Sequence, residues 1–179
     1  MVIQSVAKQN FSQLAEDALN QQIQMYQLSQ HTYLAASAYF DQADISLPGF
    51  AKFFHERAEH EGRKARKLID YQMTRGGLCM IQTIPQPIYE WKSAMNAIES
   101  CLALEKDLNN SLLRLTALAI KQTDDAHLRN FLKREHLKYK VETIDHFVKG
   151  YTQLKRVGGE GLGLHLLDQS LYQYEKFTV

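Results

Sequence analysis

The sequence has few of the residues that mark several other classes of protein. Its 179 residues include only two cysteines, Cys79 and Cys101, and three prolines, and its net charge is +1. Two cysteines form neither a disulfide framework nor a zinc pattern, so we expect buried, reduced thiols in the cytoplasm. The nearly balanced charge gives no global attraction to nucleic acid or to an anionic membrane.

Long hydrophobic stretches are absent as well. No apolar run approaches the ~18 residues of a membrane-spanning helix. The first ten residues, MVIQSVAKQN, show neither the extended apolar segment nor the cleavage pattern of a signal peptide. Apolar residues make up 45% of the chain, which is ordinary for a globular protein. We therefore expect one globular domain over residues 1–179, with no membrane partner.

Prolines and glycines divide the chain into long segments with helical periodicity. Residues 10–40 contain no glycine or proline, the three prolines lie in two short zones, and four glycines cluster after residue 157. Between these breaks, apolar residues recur at spacings of three and four. The sequence predicts long helices over about 10–40, 47–75, 91–121 and 124–156, and a short helix over about 162–172.

The lengths of the connections predict how these helices pack. Short links between the first and second helices and between the third and fourth favour two antiparallel hairpins. The middle link of about 13 residues spans about 43 to 47 Å when extended, which is a full helix length. The second and third helices are therefore able to run parallel, as in an all-α four-helix bundle with one long crossover.

Two glutamates occupy positions on the apolar faces of these helices. Glu61 follows Phe54 and Ala58 at helical spacing, and Glu105 lies midway between two leucines. Burying a charge without a partner is very costly, so each carboxylate requires either a metal ion or a counter-charge. The choice between these two partners decides the function.

Several motifs, in order along the chain, resemble the ferritin family. They are Tyr39-Phe40-Asp41, Phe50-Ala51-Lys52-Phe53-Phe54, Arg75-Gly76-Gly77, Leu104-Glu105-Lys106, Asn110-Ser111-Leu112-Leu113 and Leu166-Leu167-Asp168. The match covers essentially the whole chain, with gaps of one or two residues. The resemblance implies a ferritin-like bundle with a short fifth C-terminal helix, assembled into a hollow shell of twenty-four subunits that stores iron as a ferric mineral.

The resemblance also implies where a di-iron oxidation centre would lie. The family pattern places a Glu on the first helix, Glu-x-x-His on the second, a Glu on the third and a Gln on the fourth, with a Tyr nearby. This chain keeps Glu61 and Glu105 as remnant metal ligands, and Tyr33 as the phenol. The first-helix Glu, the His and the Gln are replaced by Tyr26, Lys64 and Lys140.

These replacements predict a disabled oxidation centre. A lysine ammonium has no lone pair for a metal, and two lysines neutralise two glutamates without iron. A tyrosine with a pKa near ~10 is a poor ligand for ferrous iron at neutral pH. Tyr26 also resembles the light-chain type of ferritin, which lacks a working centre. We expect no bound di-iron centre and no ferroxidase activity, with a weak, unusual oxidase as the alternative.

Two further iron functions are altered at the positions that the resemblance implies. Where the family gathers ferric ions on carboxylates of the second helix, this chain has His60, Arg63 and Arg66. Where the three-fold channel offers an Asp and a Glu, it has Asn130 and Lys133. A ring of positive charge opposes the entry of cations, so we expect both nucleation and iron entry to be weak.

Two functions remain open from the sequence. The first is a catalytically silent iron-storage subunit, in a homo-oligomer or in a mixed shell whose other subunits oxidise the iron. The second is a ferritin-derived cage that no longer stores iron and serves as a structural or anion-holding container. Basic runs near residues 63–67 and 133–140 come with no groove-reading motif, so we expect no nucleic-acid partner.

Overall fold

The computed structural model describes residues 5–177, and its regular elements are all helical. They are α1 (Gln13–Phe40), α2 (Pro48–Thr74), α3 (Ala94–Lys121), α4 (Ala126–Leu132), a π-helical turn (Lys133–Leu137), α5 (Lys138–Val157) and α6 (Gly161–Tyr174). The predicted all-α fold is confirmed. The fourth long helix is continuous, but the π-helical turn divides it into α4 and α5, a feature that the helical spacing did not predict.

Side-chain caps fix where three of the helices begin. Ser12, Ser93 and Asp125 accept hydrogen bonds from the backbone N–H groups of Ala15, Asn96 and Leu128, at 3.1, 3.1 and 2.9 Å. Such caps satisfy N–H groups that have no partner within the helix. The helices therefore begin two or three residues later than the sequence predicted.

The start of α2 is capped by another helix. Leu47 provides no side-chain cap, and the backbone N–H of Phe50 donates instead to Oδ1 of Asp168 on α6, at 3.0 Å. Gly49 permits this approach, because a Cβ atom there would lie 1.9 Å from the backbone oxygen of Asp168. The short fifth helix is thus anchored to the beginning of α2.

Contacts with α1 define the directions of α2 and α3. Near the start of α1, Asn20 accepts a 3.0 Å hydrogen bond from Gln72 at the end of α2. Gln22 accepts a 2.6 Å hydrogen bond from Ser111 in the second half of α3. Both α2 and α3 therefore run opposite to α1 and parallel to each other. Residues 75–93 form the long crossover that this arrangement needs.

The interior has two apolar cores with a polar layer between them. One core holds Tyr33, Phe40, Phe54, Ala97, Cys101, Phe147 and Leu171, and the other holds Leu19, Tyr26, Leu68, Leu108, Leu112 and Leu132. On α2 the first core ends at Ala58 and the second begins at Ala65, with Glu61 between them. Glu105 occupies the equivalent place on α3. The two fully buried glutamates therefore lie in one middle layer of the bundle.

Two further properties of the described residues concern membrane-spanning helices and the cysteine thiols. Within residues 5–177, no helix has both the length and the apolar character that crossing a membrane requires. The thiols of Cys79 and Cys101 are both free, and burial raises the pKa of each. Cys101 is buried as predicted, whereas Cys79 is only partly buried.

The contact between α2 and α6 predicts unequal effects for two glycine substitutions. Gly49→Ala forces a Cβ against the backbone of Asp168, and we expect it to destabilise the fold by about 1–3 kcal/mol. Gly62→Ala is the matched control, because its Cβ would meet only the flexible amide of Gln30 and alanine favours a helix interior. Guanidinium unfolding of both variants tests this, and equal midpoints would contradict the described contact.

Candidate metal centre

The middle layer brings together Glu61, Glu105 and Lys140 from three different helices. Both glutamates are fully buried, and Lys140 is 3% exposed. The Lys140 Nζ lies 3.2 Å from Oε2 of Glu61 and 2.6 Å from Oε2 of Glu105. One ammonium group thus bridges the two carboxylates.

Arg57 supplies the second positive charge. Its Nη2 lies 3.1 Å from Oε1 of Glu61 and 3.5 Å from Oε1 of Glu105. Two cations therefore face two carboxylates, as a buried ionic cluster requires. Sequence reasoning missed Arg57, although it precedes Glu61 by four residues and such pairs share a helix face.

Hydrogen bonds complete the surroundings of the two carboxylates. Tyr33 donates its hydroxyl to Oε1 of Glu105 at 2.5 Å, and Nδ1 of His60 lies 3.3 Å from Oε1 of Glu61. Burial alone would raise the pKa of Glu61. The hydrogen bond from His60 and the charges of Lys140 and Arg57 outweigh burial and lower that pKa to about 2. Glu61 is therefore ionised at neutral pH without any metal.

Tyr26 does not have the character of a metal ligand in this environment. Its hydroxyl is hydrogen-bonded to Nδ1 of His136 at 3.0 Å, and its ring centroid lies 5.5 Å from the Lys140 ammonium. Burial, followed by the negative charges of Glu61 and Glu105, raises the pKa of Tyr26 well above its usual value. The phenol therefore keeps its proton, whereas binding iron tightly would require its loss.

His136 was not identified from the sequence, although it lies beside the cluster. It belongs to the π-helical turn and is 1% exposed. Burial and the neighbouring lysines, Lys64 first among them, lower its pKa to about 3. His136 is therefore neutral at physiological pH and adds no positive charge to the layer.

Lys64 lies away from the two glutamates. It donates a short hydrogen bond to the backbone carbonyl of Glu135 in the π-helical turn, and its ammonium lies 4.3 Å from the centroid of the Tyr139 ring. Burial and the neighbouring Lys67 lower its pKa to about 8. The structure thus gives to Arg57 the neutralising role that sequence reasoning gave to Lys64.

The ligand set does not suit a di-iron centre. Each carboxylate already accepts hydrogen bonds from cationic side chains, and Lys64 and Lys140 have no lone pair to offer. Among residues 5–177 there is no group of three or more His, Cys, Asp or Glu side chains arranged to hold a metal ion. The arrangement pairs each of the two carboxylates with cationic side chains.

The three residues predicted to lie at nucleation positions are spaced three apart along α2. They are His60, Arg63 and Arg66. Arg66 forms a 2.9 Å ion pair with Asp70, and Arg63 lies 4.0 Å from Glu59. Both arginines are largely exposed, so these pairs are weak in water.

The two residues predicted to lie at the channel positions are on adjoining turns near the start of the fourth long helix. Asn130 is in the last turn of α4, and Lys133 begins the π-helical turn. Both residues are exposed. This surface therefore presents an amide and an ammonium at the two positions.

The geometry predicts that Lys140 contributes more to stability than Lys64. Lys140→Met leaves two buried carboxylates with one cation, and we expect a loss of about 3–5 kcal/mol. Lys64→Met is the matched control, since it leaves an uncharged carbonyl without its donor and is expected to cost about 1–3 kcal/mol. Guanidinium unfolding at equal subunit concentration measures both. A larger loss for Lys64→Met would contradict the described cluster.

The loss of stability in Lys140→Met is predicted to depend on pH. The pKa of Glu61 falls from 4.5 to about 2 on folding, so its carboxylate adds stability above pH 4.5, which is lost as the pH falls towards 2. Without the charge of Lys140, the pKa of Glu61 falls less on folding, so its carboxylate contributes less stability. We therefore expect the difference in unfolding free energy between wild type and Lys140→Met to be largest above pH 4.5. This difference should become smaller as the pH falls towards 2.

Comparison with known proteins agrees with this architecture. The sequence model described as "Ferritin: Ferritin-like domain" matches residues 16–157. The chain is 40% identical to "Soma ferritin" of Lymnaea stagnalis, over 92% of this chain and 94% of the relative. It is 39% identical to "Ferritin heavy chain" of Echinococcus granulosus, over 94% and 97%, and 36% identical to "Ferritin, lower subunit" of Aquarana catesbeiana, over 99% of each. This chain belongs to the ferritin family.

Proposed function

We propose that this chain is an iron-storage subunit of a hollow twenty-four-subunit shell and that it does not oxidise iron within its own bundle. The observation that carries the second part is the contact of Lys140 with both Glu61 and Glu105, at 3.2 and 2.6 Å. The two remnant ligands are thus joined by a positive side chain. The first part is supported by membership of the ferritin family along most of the chain.

Ferrous iron is a substrate that this interior disfavours. A divalent cation entering between Glu61 and Glu105 would meet the ammonium of Lys140 and the guanidinium of Arg57 at close range. Repulsion between like charges is strong where water is excluded. Moving the cations aside would leave them buried without partners, which is itself costly. The bundle is therefore stable with its own charges and has little affinity for iron.

Iron that such a subunit stores must be oxidised elsewhere. We propose a mixed shell in the cytoplasm, in which subunits with complete ligand sets perform the oxidation. The names of two relatives, "Ferritin heavy chain" and "Ferritin, lower subunit", show that subunits of different kinds occur in this family. This chain would then contribute shell surface and cavity volume.

Nucleation and entry would also depend on the other subunits. Exposed Arg63 and Arg66 offer no carboxylate to a ferric ion, and Lys133 adds a positive charge at the channel position. Cations repel cations at such positions. In a mixed shell these functions would fall to subunits that keep the acidic residues.

The central prediction is that the purified chain shows negligible oxygen-dependent oxidation of ferrous iron. The reason is that Lys140 and Arg57 already neutralise the two remnant ligands. Stopped-flow absorbance after adding ferrous iron under air measures this. A fast phase that consumes two irons per subunit would contradict the proposal.

A matched pair of rebuilt variants serves as the control. The triple change Tyr26→Glu, Lys64→His and Lys140→Gln restores the family's ligand types but leaves Arg57 on both glutamates. Adding Arg57→Gln removes this last competing cation. We expect tighter iron binding by calorimetry in the quadruple variant than in the triple. Equal binding would show that Arg57 does not block the site.

The proposal also predicts a large particle. On α6, Leu167 and Leu171 are buried against the bundle, whereas Leu162 and Leu166 are 72% and 45% exposed. A helix with exposed leucines requires a partner surface. We expect light scattering to give a mass many times the 20.6 kDa of one chain. A monomer or simple dimer at micromolar concentration would contradict both the proposed shell and the proposed storage function.

A further inference from the structure

Exposed cations gather on the surface where α2 passes the π-helical turn. Five of them, which we call the basic face, come from α2, the turn and the first residue of α5: Arg63, Arg66, Lys67, Arg134 and Lys138. All five are exposed, and Arg66 and Arg134 leave 72% and 81% of their side chains in contact with solvent. The storage function proposed above assigns no ligand to this surface.

Glu135 joins the cations of α2 to those of the turn. Nζ of Lys67 lies 2.6 Å from its Oε2, and Nη2 of Arg134 lies 3.7 Å from its Oε1. Lys64 donates a hydrogen bond to the backbone carbonyl of the same residue. One carboxylate therefore lies among three cations. These cations repel one another: after burial, the charge of Lys67 is the next cause that lowers the pKa of Lys64 to about 8.

Lys138 adds a further positive charge through the ring of Tyr139. Its ammonium lies 5.6 Å from the centre of this ring, and the ammonium of Lys64 lies 4.3 Å from the same centre. In the described part of the chain, the Lys138 ammonium contacts this ring and forms no ion pair. The ring is thus engaged by cations, and the cluster offers charge rather than a stacking surface for a nucleobase.

The carboxylates beside the basic face do not balance its charge. Three of them pair with its cations: Glu59, Asp70 and Glu135. With Lys64 included, six positive charges meet these three negative ones, which leaves a net charge of +3. Lys133 and Glu142, which flank the cluster along the fourth long helix, have opposite charges and leave this balance unchanged. Ion pairs between exposed side chains are weak in water, so an anion with several charges is able to displace these carboxylates.

We propose that the basic face binds inorganic polyphosphate. A linear polyphosphate has negative charge along its whole length and no apolar group, so it matches a surface that offers several cations without a groove-reading motif. Binding a phosphate polyanion to Lys and Arg side chains releases its condensed counterions, which favours the complex at low salt. Hydrogen bonds from guanidinium groups to phosphate oxygens add to the affinity. This inference goes beyond iron storage and requires neither iron nor an assembled shell.

Refolding in the presence of polyphosphate tests the proposal, because the anion then reaches the basic face whether or not an assembly encloses it. The full-length chain is unfolded in guanidinium chloride and diluted into buffer that contains short-chain sodium polyphosphate. Gel filtration removes unbound anion, and the phosphate retained per subunit is measured after acid hydrolysis. We expect the wild type to retain polyphosphate, and to lose most of it in about 1 M sodium chloride, because salt screens the attraction.

The informative variant neutralises three cations of the basic face at once: Lys67→Gln, Arg134→Gln and Lys138→Gln. We expect it to retain at least about fivefold less polyphosphate than the wild type. The matched control removes two lysines and one arginine from exposed positions of α3: Lys106→Gln, Arg114→Gln and Lys121→Gln. We expect its retention to stay within about twofold of the wild type. Circular dichroism checks that each variant has regained its helices.

Glu135→Gln gives a readout of the opposite sign. It removes the carboxylate that Lys67 and Arg134 share, so we expect the retained polyphosphate to increase. A decrease in this variant, or no retention by the wild type, would overturn the proposal. Equal losses in the two triple variants would also overturn it, as attraction to net charge alone.

Two further outcomes would overturn the proposal. Retention that is unchanged by high salt and by every substitution would show passive enclosure of the anion rather than binding to the basic face. A single-stranded oligonucleotide of similar charge that is retained as well as polyphosphate would overturn the identity of the ligand.

Discussion

The bundle depends on the neutralisation of two carboxylates that no water reaches. Glu61 and Glu105 are fully buried on different helices, and a buried carboxylate requires a positive partner at the same depth. Lys140 and Arg57 supply those charges from α5 and α2. Because the cluster lies between the two apolar cores, it also links α2, α3 and α5 at mid-height. The other features of the middle layer follow from this balance of charge.

The same balance explains how a member of the ferritin family can be stable without a di-iron centre. A buried ion pair is often no more stabilising than an apolar pair of equal volume, but losing one partner is costly. Loss of a single cation therefore threatens the fold. Tyr33 and His60 add hydrogen bonds to the carboxylates, and Tyr26 is turned towards His136. On the proposed function, the chain uses the positions that the family resemblance assigns to an oxidation centre to hold its own charges.

Much of the fold could be read from the sequence, because glycine, proline and apolar spacing are local signals. The two glutamates were visible as carboxylates on apolar stripes, and the bridging Lys140 was identified through the resemblance to the ferritin family. Arg57 was not, although it shares a helix face with Glu61, because it lies at the partly exposed edge of the stripe and only its long side chain reaches the interior. The helix boundaries differed by a few residues, because the caps rather than the apolar pattern set them.

The π-helical turn explains the other difference between sequence and structure. Apolar residues on both sides of Lys133–Leu137 keep a nearly helical spacing, so the apolar pattern did not predict the extra residue in the turn. The turn places the Glu135 carbonyl where Lys64 donates to it, and it places His136 against Tyr26. Lys64 is thus engaged by the turn, and Arg57 is the second cation in contact with the glutamates.

The most direct test of this account is crystallographic. Crystals of the full chain would be soaked in ferrous iron under air, and diffraction would be recorded at the iron absorption edge. The account predicts no anomalous peak between Glu61 and Glu105, with the Lys140 ammonium in density within salt-bridge distance of both carboxylates. An iron peak at that place, with Lys140 and Arg57 displaced, would contradict it.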